Sequence, residues 1–191
     1  MKDRSNRKQV IFEKAAALFM EKGYAGSSMR DLAERVGIEP SSLYSHIRSK
    51  DEILSKLCLD PAAAFVKGMD EIEASSANSI GQIESLIDLH VTIAKEDPSS
   101  MTVFSNEWKH LPEETRIIFE KQRRNYQKRF KAILTKGVAE GSLSDLDPSI
   151  AMKTILTSLR WIHFWTPAAR KLDYDQAKVE IKKLILNGIQ A

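Results

Sequence analysis

Apolar residues recur at helical spacing through nearly the whole chain, and the pattern predicts no strand. A first helix is expected from about Asp3 to Lys22, with Val10, Ile11, Ala15, Leu18 and Phe19 on one face. Gly23 follows in the position where a helix ends on a left-handed residue. Ser28 can cap a second helix, Met29 to Val36, with Asp31 three residues on as a capping box and Gly37 as its stop. A third runs from Pro40 to His46, proline suiting a first helical turn. Ser49, with Glu52 three residues later, caps a long fourth helix reaching about Glu73, which Pro61 is expected to bend or interrupt.

Beyond the polar connection 74–79 the punctuation repeats. Asp97-Pro98 and Asp147-Pro148 each pair a capping carboxylate with a first-turn proline. Helices are expected at 79–96, 98–110, 112–140, 148–165 and 174–189. The sum is an all-α chain of about nine helices: a three-helix N-terminal head, residues 1–50, and a C-terminal helical bundle, residues 51–191.

Composition agrees. With 8 Gly and 6 Pro in 191 residues there is little turn material for an all-β fold. The charge is uneven. Residues 1–50 hold 10 Lys and Arg against 6 Asp and Glu, whereas the remainder is close to balanced. The positive surplus therefore lies in the head, where it can meet a polyanion. Cys58 is the single cysteine, so no intrachain disulfide forms, and a reducing cytoplasm is the expected location. No run approaches the roughly 18 apolar residues of a membrane span, and the first residues lack the apolar stretch of a secretory signal. No membrane partner is expected.

The head carries the chemistry. Two short helices separated by Gly37-Ile38-Glu39 have the proportions of a helix-turn-helix, whose second helix lies in the major groove of DNA. That helix presents Ser41, Ser42, Tyr44, Ser45 and His46, small or hydrogen-bonding, while Leu43 and Ile47 can anchor it inward. Small side chains let a helix approach base edges, and hydroxyls reach bases or phosphates. The same residues suit a short solvated surface helix, and the pattern alone does not separate the two.

The run from Gly26-Ser27-Ser28-Met29-Arg30-Asp31-Leu32 to Gly37-Ile38, followed by Ser42-Leu43-Tyr44-Ser45-His46-Ile47-Arg48-Ser49-Lys50, resembles the DNA-binding signature of the TetR family. The likeness extends from Val10 to Leu54, with Glu39 standing where that family usually has Ser or Thr, and Ile47 where Phe is common. It implies phosphate contacts from Ser28, Tyr44, His46 and Lys50, and base contacts from Ser41 and Ser42, with Arg30 a further candidate. Phe12, Leu18, Phe19, Leu32, Ala33, Leu43 and Ile47 are expected to be core.

In the bundle, the helix holding Ile150, Ala151, Met152, Ile155, Leu156, Leu159 and Ile162 is apolar on more than one face, which suits a bundle that pairs with a twin. It and the last helix, with Val179, Ile181, Leu184, Ile185 and Ile189, resemble the final helices that build the TetR-family dimer interface. A homodimer through these two helices is therefore implied. Trp108, Tyr126, Phe130, Trp161 and Trp165 suit either a ligand cavity or ordinary core. The pattern from Arg123-Arg124-Asn125-Tyr126 through Phe130 and Gly141 to Trp161 and Trp165 is similar to a TetR branch sensing acyl-CoA thioesters, which regulates steroid, phenylacetate and fatty-acid degradation. Under that likeness Arg123 and the stripe Lys121, Arg124, Lys128 and Lys131 would attract coenzyme A phosphates. A solvated face with Glu120–Arg124 pairing is the other reading.

Enzyme chemistry finds little support. Glu107 and His110 have the spacing of di-iron bundles, yet no second Glu-x-x-His exists, and His46, His90 and His163 lack zinc spacing. No catalytic residue, metal ligand or cofactor is expected, and a helical-bundle metalloenzyme remains a remote alternative. The expected function is a regulator binding double-stranded operator DNA, a repressor released by a small-molecule effector, with an acyl-CoA thioester favoured. Another hydrophobic ligand, such as a drug, is the alternative.

Overall fold

A computed structural model describes residues 2–164 and 173–190, with side chains described for 7–163 and 173–190. Among the described residues it is all-α: α1 (Lys2–Lys22), α2 (Met29–Val36), α3 (Pro40–Tyr44), α4 (Lys50–Ala74), α5 (Ser79–Glu96), α6 (Pro98–Asn106), α7 (Glu113–Ala139), α8 (Pro148–Arg160) and α9 (Tyr174–Ile189). Two short 3-10 turns, Trp108–His110 and Trp161–Phe164, punctuate them. Among the described residues the one extended pairing is an isolated antiparallel bridge between Leu143 and Gln190.

The chain forms two compact units: Met1–Pro61 with Asp97–Phe119, and Ala62–Glu96 with Glu120–Ala191. In the first, α1 buries Ile11, Phe12, Ala15, Leu18 and Phe19 and packs on both α2 and α6. The capping box expected at α2 forms. The Ser28 hydroxyl accepts from the Asp31 N–H at 3.1 Å, and the Asp31 carboxylate accepts from the Ser28 N–H at 2.9 Å. Gly37 ends α2 at φ +76°, in open space, so backbone conformation rather than crowding selects glycine there. Ile38 N–H bonds Ala33 O at 3.0 Å and Gly37 N–H bonds Glu34 O at 3.1 Å, the paired bonds that turn the chain sharply toward α3.

In the second unit α5 meets α8, α9 and the Trp161–Phe164 turn. Gly68 on α4 leaves room for the Leu89 side chain of α5, since a Cβ there would lie 2.5 Å from Leu89 Cδ1. Arg129 on α7 grips α4 through Glu73, at 2.9 and 2.7 Å, and Asp70, at 2.7 Å. Lys182 on α9 bonds Asp88 on α5 at 2.6 Å.

Several boundaries differ from expectation. Helix α3 stops at Tyr44 rather than His46. Ser45 and His46 donate to carbonyls three residues back, and the Ser45 hydroxyl also bonds Ser42 O at 2.7 Å, tightening the turn. Helix α4 runs through Pro61 as one helix, so of the expected bend or interruption the interruption does not occur. Proline removes a single N–H, and buried Leu57, Cys58, Ala62 and Phe65 flank it on both sides. Helices α6 and α8 end at Asn106 and Arg160, short of 110 and 165, each followed by a 3-10 turn.

Candidate operator interface and effector site

Helix α3 stands on two fully buried anchors, Leu43 and Ile47. The residues between and before them, Ser41, Ser42, Tyr44 and Ser45, are exposed, Tyr44 by 54%. His46 is half-buried. A helix held from below by aliphatic side chains and presenting hydroxyls outward can enter a groove without rearranging its core. Glu39 takes the N-cap position of α3 but makes no side-chain cap bond, whereas a Ser or Thr there is shaped to cap. Its carboxylate is left exposed at the start of α3.

The expected phosphate contacts sit in different surroundings. Arg30 is exposed in the first turn of α2. Ser28 is exposed too, but its hydroxyl is engaged with the Asp31 carboxylate, which also accepts from Lys22 at 2.8 Å. These donors hold the Asp31 carboxyl well below the usual carboxylate range, Lys22 contributing most. Lys50 is turned inward. Its ammonium donates to Tyr24 O at 2.8 Å and Ser27 O at 2.7 Å, and lies 4.1 Å above the Tyr24 ring. The Tyr24 hydroxyl donates to Asp51, and burial followed by that carboxylate pushes the phenol pKa up. Two of the three Lys50 protons therefore organise the loop before α2, leaving one directed elsewhere.

The ligand candidates separate. Trp108 belongs to the first unit, stacked on Phe119 at 5.7 Å. Arg123, Arg124, Tyr126, Phe130 and Trp161 belong to the second, and Trp165 lies outside the described residues. Phe130 is fully buried and Tyr126 nearly so, while Trp161 is exposed. Arg123 is half-buried, and exposed Arg124 pairs with Glu120 at 3.4 Å. Lys121, Lys128 and Lys131 all face solvent.

Tyr126 has a partner that had not been singled out from the sequence. Its hydroxyl lies 2.9 Å from His90 Nε2, and Phe65 packs on both rings. The available signal was periodicity: His90 follows Ile83, Leu86 and Ile87 on the buried stripe of α5. Among the described residues no group of three or more His, Cys, Asp or Glu could hold a metal, and Glu107 lies 3.6 Å from His110 as a pair. No helix there is long and apolar enough to cross a membrane.

Residues 11–57 match the profile of bacterial regulatory proteins of the tetR family, and 76–189 match that of the tetracyclin repressor-like C-terminal domain. The chain is 25% identical over 189 residues to the HTH-type transcriptional repressor KstR2 of Rhodococcus jostii, covering 97% of this chain and 92% of that protein. The solved structure of the ketosteroid regulator KstR2 of Mycobacterium tuberculosis superposes with a TM-score of 0.90 at 24% identity, covering 97% and 95% of the two chains. The structure of AibR in complex with isovaleryl coenzyme A and operator DNA has a TM-score of 0.79 at 20% identity, covering 93% and 97%.

Proposed function

The chain belongs to the TetR family of bacterial regulatory proteins, and on that premise we propose that it is a transcriptional repressor released from its operator by a small molecule. It is a regulator and not an enzyme. The observation that carries the reading is the α3 surface, where exposed Ser41, Ser42 and Tyr44 ride on fully buried Leu43 and Ile47. Residues 1–50 grip double-stranded operator DNA, and 51–191 sense the effector and dimerise. Ser41, Ser42 and Arg30 reach base edges. Tyr44, His46, the α2 N-terminus at Ser28 and the remaining Lys50 donor meet phosphates.

The active species is a homodimer through α8 and α9. Its support is the apolar side chains those helices leave exposed: Ile150 by 66%, Val179 by 60% and Leu184 by 74%. Two-fold symmetry then sets the two recognition helices about 34–36 Å apart, or a multiple of that, along a palindrome. A repressor acting on chromosomal DNA works in the cytoplasm.

The effector is an acyl-CoA thioester. The resemblance of residues 123–165 to the thioester-sensing branch supports this, as does the likeness to AibR, whose structure holds isovaleryl coenzyme A. Exposed Lys121, Arg124, Lys128 and Lys131 offer charge to its phosphates. Ligand bound in the second unit acts through α4, which continues into the head, and the two binding events oppose each other by ~1–3 kcal/mol. The test is a mobility-shift titration of a bound genomic operator with saturated acyl-CoA thioesters of graded chain length and with coenzyme A alone. Release by thioesters at micromolar concentration is expected. Release by an unrelated drug or dye while every thioester is inert contradicts the effector class and leaves the repressor standing.

A further inference from the structure

Helix α5 carries a histidine next to a buried stripe that includes Ile83, Leu86, Ile87, Val91 and Ala94. His90, half-buried, packs its ring on buried Phe65 at 4.5 Å between centroids, and its Nε2 lies 2.9 Å from the Tyr126 hydroxyl. Phe65 and Tyr126 close the triangle at 5.6 Å. Burial pushes the His90 imidazole down to about 3 and buried His163 down to about 4, so both rings are neutral near pH 7.

The protons in this pair leave a remainder. A neutral imidazole carries one N–H. If it is on Nε2, it donates to the Tyr126 oxygen and the phenol proton is unused. If it is on Nδ1, Tyr126 donates to Nε2 and the Nδ1 proton is unused. In either tautomer the dyad keeps one donor. One turn before Tyr126 on α7, Gln122 holds its Oε1 buried with no hydrogen-bond partner among the described residues. A buried acceptor without a donor is a standing cost that a ligand can remove.

We propose that His90, Tyr126 and Gln122 form a subsite for a hydroxyl group on the effector, which accepts from the dyad's unused donor and donates to Gln122 Oε1. A ketone fits less well, since it accepts but leaves Gln122 unsatisfied. An ionised group fits poorly, because it would lose its water beside neutral partners. Phe65 supplies the apolar wall against which the hydroxyl-bearing carbon skeleton lies. The proposal rests on the small-molecule effector reading and narrows it to oxygenated acyl groups.

The test is calorimetric titration of the full-length protein with two matched pairs: decanoyl-CoA against β-hydroxydecanoyl-CoA, and cholanoyl-CoA against cholyl-CoA. The corresponding free acids and coenzyme A alone complete the panel. In at least one pair the hydroxylated member is expected to bind roughly tenfold tighter. Tyr126→Phe, which keeps the ring packing, is expected to erase that preference by weakening the hydroxylated member more than the parent compound. Gln122→Met, checked with Tyr126→Phe for an unchanged melting transition, is expected to reduce it and carries the test if Tyr126→Phe does not fold. Equal affinity within both pairs, no binding by any hydroxylated compound, or equal weakening of both members by Tyr126→Phe overturns the subsite. So does loss of coenzyme A affinity itself in Tyr126→Phe without a hydroxyl preference, which would assign the dyad to an amide of the cofactor arm. Thioesters that bind without preference sink the subsite and spare the acyl-CoA reading. Hydroxylated acids that bind through Tyr126 while thioesters do not would do the reverse.

Discussion

The Lys50 ammonium lies 2.7 Å from the Ser27 carbonyl oxygen, across a separation of 23 residues, and so fastens the start of α4 to the loop that introduces α2. The same group bonds Tyr24 O at 2.8 Å and covers the Tyr24 ring. A residue expected to serve DNA alone is thus part of the frame that holds the helix-turn-helix.

Lys50→Ala should therefore lower stability as well as operator affinity. Two part-buried carbonyls lose their donor, at about 1–3 kcal/mol together. Urea denaturation of the free protein measures this, and an unchanged midpoint would return Lys50 to a purely phosphate-binding role.

Exposed positions on α3 should behave differently. Tyr44→Ala and Ser42→Ala remove side chains with little packing, so stability should stay within about 0.5 kcal/mol of the parent. Tyr44→Ala should weaken binding to operator and random DNA alike, whereas Ser42→Ala should narrow the gap between them. Fluorescence anisotropy on both duplexes separates the two effects.

Leu184→Asp places a charge where α9 exposes its largest apolar side chain. In the free chain it should be close to neutral for folding, yet in a dimer it would bury an unpaired carboxylate. Sedimentation at micromolar concentration should move from dimer to monomer, with operator affinity lost in parallel.

Acid should destabilise the protein well above the range where carboxylates titrate. Burial pushes the His90 and His163 imidazoles down from the ordinary 6.5, to about 3 and about 4. As pH falls below 6.5 the unfolded chain takes up these protons and the native chain does not. Stability is fully present above that value and declines toward the folded pKa values, by up to ~1.4 kcal/mol per group per pH unit. Urea midpoints between pH 6.5 and 4.5 should fall steadily in the parent and less steeply in His90→Gln.

Much of the fold was legible because local chemistry marks its boundaries. Asp97 and Asp147 cap α6 and α8 with their carboxylates, as their following prolines suggested. Gly37 ends α2 with the left-handed turn expected of it. What escaped depends on tertiary context. Pro61 is carried inside α4, and the 3-10 turns after α6 and α8 have no local signature. The α3 face was readable because hydroxyls and aliphatics alternate around one short helix. The His90–Tyr126 pair was not, since 36 residues separate its members and they lie on different helices. Trp108 and Tyr126, both candidates for lining a ligand cavity or for ordinary core, fall in different compact units.

The central claim is that α3 reads duplex DNA, and selection from the organism's own fragmented genome tests it most directly. Purified protein, incubated with those fragments at moderate salt, should enrich one palindromic stretch over random sequence, and Ser41→Ala with Ser42→Ala should lose that enrichment while remaining folded. Recovery of fragments in proportion to their abundance, indistinguishable between parent and variant, would contradict it.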